Sequence, residues 1–476
     1  MNNRFYSMLI TIFIAGASIS SFNISEVAAS QMQFSRLKAI TNTVKEEVRA
    51  RPKNVILMIG DGMGVGQIEV ARQMEYGKDG RLFLESLPNV ALIHTYSANN
   101  AVTDSAAGGT ALAIGKKTKN EMIGVTAEGA ESESILDLFK KDGKKTGVIS
   151  TNMVTDATPA AFTASVSNRW TGQEEIARQQ LKNNVDVLLG GGADFFGPKK
   201  QNGKDLTKEA IKNGYTYVTN RNELLSATGA KLLGLFHPSY MSYKLDRKLI
   251  KSNEPSLKEM TEKAIEFLSK DNKGFFVMVE GARIDHASHA ADITSVWKEV
   301  IEFDHAVNYA VDWAKKDGNT LVVVVADHET MGLSATEPLN IEGLKKVKAT
   351  PEFMVGQFVR NKDGGYDPYS IKSTLKKYAN IDLTEREIKQ FSKRIKSTEG
   401  KVYPQYLAAW ELGSLIAERN HAGVVNRKVR SISSTGGHTA NLIPLFAFGK
   451  GAEIFDGVLD NTDVPKRIAI LMGYEF

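Results

Sequence analysis

The sequence predicts an α/β fold, a three-layer α/β/α sandwich around a large, mostly parallel central sheet. Three observations lead there. Short apolar runs recur along the chain, they are continuous rather than alternating, and helix-like segments separate them. Continuous runs of Val, Ile, Leu and Phe suit strands covered on both faces. Strand alternating with helix is the mark of a layered sheet.

The runs fall at 54–59, 90–94, 146–150, 185–189, 275–279, 320–326 and 444–448. Between them, 131–141, 256–269 and 293–315 carry helical patterning. Residues 331–433 break the rhythm. They hold a Gly-Gly turn near Tyr366 and charged helical segments at 383–396 and 406–418, with capping-box character from Asp382 to Glu385. This stretch reads as an insertion between two core strands, before the last polar motif, and no residue in it is assigned to chemistry.

A chain of 476 residues with 42% hydrophobic and 24% charged residues is long enough for a large core and ordinary in balance. It has no cysteine, so disulfides and thiolate metal sites are excluded and any zinc must rest on His and carboxylates. The net charge of +5 is uneven: residues 331–433 hold 18 Lys and Arg against 11 Asp and Glu, +7, which leaves −2 for the rest. Basic bias without interleaved aromatics gives no reason to expect specific nucleic-acid recognition.

Residues 1–29 read as an export signal. Arg4 opens it, an apolar stretch follows, and Val27-Ala28-Ala29 supplies the small residues of a cleavage site. The apolar stretch is short for a membrane span. The expected mature chain is 30–476, one catalytic domain in the periplasm or outside the cell, with no transmembrane anchor.

The chemistry collects at the ends of the apolar runs, where open α/β sheets place functional groups. Asp104-Ser105 opens a run of small residues, which sets the Ser105 hydroxyl at a helix N-terminus suited to an anion. Asp61 sits between Gly60 and Gly62. Glu280 ends another run, followed by Asp285, His286 and His289; Asp327 and His328 end a third, and His438 precedes the last. That many carboxylates at one sheet edge need divalent cations between them. Asp285 and His289, four residues apart, share one side of a helical turn.

With Asp156-Ala157-Thr158-Pro159 added, these motifs resemble the alkaline phosphatase family, in order from residue 54 to the final strand. The resemblance implies that Asp285, His289 and His438 hold one zinc. Asp327, His328 and Asp61 hold a second, beside Ser105, and Asp61, Thr158 and Glu280 hold a third ion, usually magnesium. It assigns Ser105 as the nucleophile that passes through a phosphoserine and Arg169, thirteen residues after Asp156, as the phosphate-binding arginine. It also implies phosphate monoester substrates and a homodimer. Asp156 with His286 is a hybrid around the third ion, because enterobacterial relatives carry Lys and animal relatives His at the positions where this chain departs from them.

The residue types suit that chemistry on their own terms. Two divalent ions ~4 Å apart stabilise attacking and leaving oxygens and activate a serine hydroxyl, and a guanidinium fork donates in pairs to phosphoryl oxygens. Two other readings stay open: a phosphodiesterase of the same superfamily, against which Thr158, Glu280 and Arg169 argue, and a secreted zinc- or phosphate-binding protein without catalysis. His94, His237, His305 and His421 are read as structural, and Trp170 as a packing residue or one lining the entrance to the site.

Overall fold

In a computed structural model, residues 51–476 are described except 363 and 398; the expected export signal at 1–29 lies outside them. The strands are β1 (Asn54–Ile59), β2 (Asn89–His94), β3 (Lys145–Met153), β4 (Val187–Gly191), β5 (Tyr215–Val218), β6 (Lys231–Leu235), β7 (Phe275–Glu280), β8 (Thr320–Val325), β9 (Glu329–Thr330), β10 (His438–Thr439), β11 (Ile443–Gly449) and β12 (Gly457–Asp460). Ten form one sheet in the order β12-β2-β11-β8-β1-β7-β3-β4-β6-β5, and β9 pairs with β10 beside it. Every neighbouring pair in the large sheet is parallel except the two made by β11.

The expected mostly parallel sheet is therefore present, with differences in detail. The run at 444–448 forms β11, but antiparallel, because Ile443 to Ala447 pair against Ile93 to Asn89. The run at 90–94 is covered on one face only: Ala91 and Ile93 are buried, Val90 and Leu92 exposed. Strand β4 starts at Val187, two residues later than the run at 185–189. Strands β5, β6 and β12 were not expected. They are four or five residues long, and two of them carry glycine, so their apolar signal is too brief to register.

Two packs of helices cover the sheet. In one, Ile293–Asp317 lies against Leu257–Leu268 and Val65–Tyr76. In the other, Ser105–Ile114 lies against Ala157–Ala161, Ile135–Lys141 and Asp463–Met472. All six residues of β1, β7 and β8 are buried, and each large apolar side chain so covered contributes about 1.5–3 kcal/mol. The insertion has its own hydrophobic core, from Val347 to Ile416. Its helix Glu385–Arg394 is capped by Thr384 in a box with Glu387, two residues beyond the Asp382–Glu385 box read from sequence; the Thr384 hydroxyl reaches the third helical N–H where Asp382 does not.

No helix among the described residues is long and apolar enough to cross a membrane.

Candidate metal centre and nucleophile

The site follows from four adjacent parallel strands, β8, β1, β7 and β3. Register places Ile59 beside both Val325 and Glu280, and Glu280 beside Ser150. The polar residues that follow each strand therefore emerge at one edge. Asp61 follows β1, Asp327 and His328 follow β8, and Glu280 closes β7 with Asp285 and His289 on the next helix, Arg283–His289. His438 arrives through the β9–β10 pairing, in register with Thr330.

Two groups of ligating atoms result. Asp285, His289 and His438 have one such atom each within 4.8 Å of the others, and so do Asp61, Asp327 and His328. In the first, His289 Nε2 lies 3.2 Å from Asp285 Oδ2 and 3.1 Å from His438 Nε2. In the second, His328 Nε2 lies 3.3 Å from Asp327 Oδ2 and 3.5 Å from Asp61 Oδ1.

The histidines are held by their other nitrogen. His289 Nδ1 donates to Gly436 O and His438 Nδ1 to Thr103 O, both at 2.9 Å. Thr330 Oγ1 gives its proton to Asp285 and so accepts from His328 Nδ1 at 3.2 Å. All three rings thus turn Nε2 toward the carboxylates, the arrangement that outer hydrogen bonds impose on metal-binding imidazoles. Asp61 Oδ1, Asp327 Oδ2, Glu280 Oε1 and Thr158 Oγ1 are buried without hydrogen-bond partners. Unpaired buried oxygens are costly, and a divalent cation satisfies them. The donor set, nitrogen and oxygen with no sulfur, fits zinc and magnesium.

The titration behaviour agrees. Burial, then Asp327, Asp285 and Glu280, push Asp61 well above the usual carboxylate range. Burial with Asp156 and Asp327 nearby raises Glu280 to about 8, although Ser150 donates to it. Burial and Asp285 raise Asp327 to about 7. Asp285 is held well below its ordinary value despite burial, by His289, His438 and His328. Burial lowers His328 to about 4 and keeps His438 neutral as well.

Ser105 is the first residue of helix Ser105–Ile114, capped by Asp104, whose side chain accepts from Ala107 N at 2.9 Å. Ser105 is 4% exposed, and its Oγ lies 3.1 Å from His328 Nε2, beside the second group. The small residues after it have a reason: a Cβ at Gly108 would stand 2.8 Å from Asp327 O. Only a bare backbone lets this helix approach so closely.

Arg169 is buried and points between two acids, with Nη2 donating to Asp156 Oδ1 at 2.8 Å and Nη1 3.4 Å from Asp104 Oδ2. Its guanidinium also lies 4.7 Å from the ring of Trp170, which is 64% exposed. Trp170 is therefore not buried in the core; its exposed ring lies over Arg169. Thr158 sits on the short helix Ala157–Ala161, capped by Asp156 and pressed against Gly109.

His286 has the opposite polarity to the three inward-turned histidines. Arg283 Nη1 donates to its Nδ1 at 2.7 Å, so its single proton sits on Nε2 and that nitrogen is a donor, not a ligand. Burial and Arg283 lower it to about 3. His94, His305 and His421 are exposed, and His237 accepts from Ser239 N in a turn.

Sequence reasoning missed Arg283 and Trp410. The first lacks any motif signal of its own. The second lies in the insertion, yet its ring stacks on His289 at 5.3 Å between centroids.

Comparison with known proteins agrees with this geometry. The family model described as alkaline phosphatase matches residues 52–474. Alkaline phosphatase 4 of Bacillus subtilis is 36% identical over 88% of this chain and 89% of its own. Alkaline phosphatase 3 of that organism is 34% identical over 97% and 95%. The crystal structure of Thermus thermophilus alkaline phosphatase superposes with a TM-score of 0.80 at 28% identity, covering 90% of this chain and 92% of that one.

Proposed function

Since the chain belongs to the alkaline phosphatase family, and with it to the phosphoric monoester hydrolases, we propose that it cleaves phosphate monoesters through a phosphoserine at Ser105, using two zinc ions and one magnesium. Asp285, His289 and His438 would hold one zinc, Asp327, His328 and Asp61 the other, and Asp61, Thr158 and Glu280 the magnesium. A variant of the alkaline phosphatase from the Antarctic bacterium TAB5, 31% identical over 90% of this chain, has magnesium in its M3 site. When bound, such ions lower the pKa of a serine hydroxyl and of water and offset charge on attacking and leaving oxygens.

The observation that carries the reading is Ser105 Oγ, buried at a helix N-terminus and 3.1 Å from an inward-turned imidazole nitrogen. Ser105 attacks phosphorus and receives the phosphoryl group as the P–O bond to the alcohol breaks; the alcohol leaves, taking up a proton from solvent in place of the one the serine gives up. Arg169, aimed by Asp156 and Asp104, holds two nonbridging oxygens with its fork. The N–H groups at the start of the Ser105 helix favour the same negative charge. His286, neutral with its proton on Nε2, lies close enough to Asp156 for the two to interact electrostatically. Water then cleaves the serine ester and frees phosphate.

Residues 1–29 direct export, 30–476 form the catalytic domain with its insertion at 331–433, and the enzyme works in the periplasm or outside the cell. The homodimer has a candidate face in Val90, Leu92 and Val458, exposed together where β2 pairs with β12. The test is steady-state hydrolysis of a chromogenic monoester and diester, with metal content measured on the same preparation. Monoester turnover should dominate, vanish on chelation and return with zinc. A faster diester reaction would favour the phosphodiesterase reading. Bound metal with no hydrolysis of either ester would favour the binding protein.

A further inference from the structure

Of the three inward-turned histidines, His328 and His438 stack on each other at 3.7 Å within the core, whereas His289 lies nearer the surface, with 13% of its side chain exposed. The insertion covers it. Trp410, on helix Gln405–Arg419, lies flat on the His289 imidazole at 5.3 Å with an interplanar angle of 8°. Tyr406, one turn earlier, meets Trp410 edge-on at 6.0 Å.

Arg430, from helix Arg427–Ile432, grips the same place. It donates to His289 O at 3.2 Å and Ser414 Oγ at 3.1 Å, is paired with Glu411, and lies over the Trp410 ring. Gly436 closes the remaining side. Its φ is +73°, its carbonyl accepts from His289 Nδ1, and a Cβ there would stand 3.2 Å from that ring and 3.3 Å from Trp410. Ring face, ring edge and backbone of His289 are thus fixed by one segment, 405–436.

We propose that Trp410 is a positioning residue for the Asp285–His289–His438 group, through which the insertion sets that group's affinity for its divalent cation. The inference rests on the metal reading above. A His289 ring without Trp410 faces solvent on that side and gains rotamer freedom, which must be lost again when the ion binds. Removing a partner that orients a metal-binding histidine typically lowers affinity 10- to 100-fold.

The test is competition for zinc between the full chain and a chromogenic chelator at fixed pH, for the parent, Trp410→Ala and Trp410→Phe. One of the two tight sites should weaken about tenfold or more in Trp410→Ala, with the other unchanged. Trp410→Phe, which restores a flat ring, should recover most of the loss. The thermal midpoint of metal-free Trp410→Ala should stay near that of the metal-free parent. Should Trp410→Ala not fold, Trp410→Leu replaces it, filling the space without a flat face. Parent-like zinc affinity in the Ala or Leu variant overturns the inference, as does equal weakening of both sites with a fall in metal-free stability. A parent that takes up no zinc overturns the metal reading itself.

Discussion

Stripping the ions from the site should make stability depend on pH in a direction fixed by the buried acids. Glu280 and Asp327 titrate at about 8 and about 7 in the folded chain without metal, against about 4 when unfolded. Between those values the native state binds more protons than the unfolded one, so its stability falls as pH rises. His328 and His438, lowered by burial, act oppositely, but only below about pH 6.5, where the unfolded histidines take up protons. Above that, the acids govern, and Asp61 and His289, both raised in the fold, act in the same direction. From pH 6.5 to 9, Glu280 loses about 1.5 units' worth and Asp327 about half a unit, roughly 3 kcal/mol together at 1.36 kcal/mol per unit. For a chain of this length that is ~3 °C in midpoint. Asp292 and Glu299, also raised to about 7, lie outside the metal groups and cancel when two preparations are compared. The assay is thermal unfolding of chelated and of zinc- and magnesium-loaded protein at pH 6.5, 7.5 and 9. The gap between loaded and metal-free midpoints should widen with pH. A constant or narrowing gap would refute the placement of these acids around cations.

Ser105→Ala should abolish monoester turnover while metal content and fold persist, and phosphopeptide mapping after acid quench of the parent should find the label on Ser105; a label elsewhere ends the assignment. Arg169→Ala should weaken phosphate inhibition about 10- to 100-fold, the equivalent of ~1.5–3 kcal/mol for charged hydrogen bonds, and lower stability because the buried Asp104 and Asp156 lose their shared cation. Equal inhibition constants in variant and parent would show that Arg169 does not meet phosphate. His286→Lys should tighten phosphate inhibition, strengthen magnesium dependence and slow turnover at high pH, because a cation replaces a neutral donor beside Asp156. Unchanged inhibition and metal preference would reduce His286 to a packing residue.

The core strands and the polar residues after them were legible because each signal is local. Three buried runs end in a carboxylate or histidine and parallel pairing brings those ends together, while His438 joins them through the antiparallel β9–β10 pair. What stayed hidden depends on partners far along the chain. Nothing in Ile443 to Gly449 says that its neighbours run the other way, and the exposed face of β2 is set by what fails to cover it. Trp410 sits in a helix of the insertion whose sequence carries no motif, and its contact with His289 exists only once the insertion folds back. The proton position on His286 likewise follows from Arg283, whose reach to Nδ1 no spacing rule encodes.

The pairing of Arg169 with Asp156 and Asp104 has a kinetic consequence. A free guanidinium would meet phosphate as a full positive charge and would hold the released ion as strongly as the ester. Here the charge is already shared with two carboxylates at 2.8 and 3.4 Å, which aim the fork and temper its pull. On the proposed function, phosphate must divide that arginine with residents that never leave, before and after the serine ester is cleaved. On that reading the two acids act as a return spring on the arginine and should hasten the emptying of the site for the next molecule.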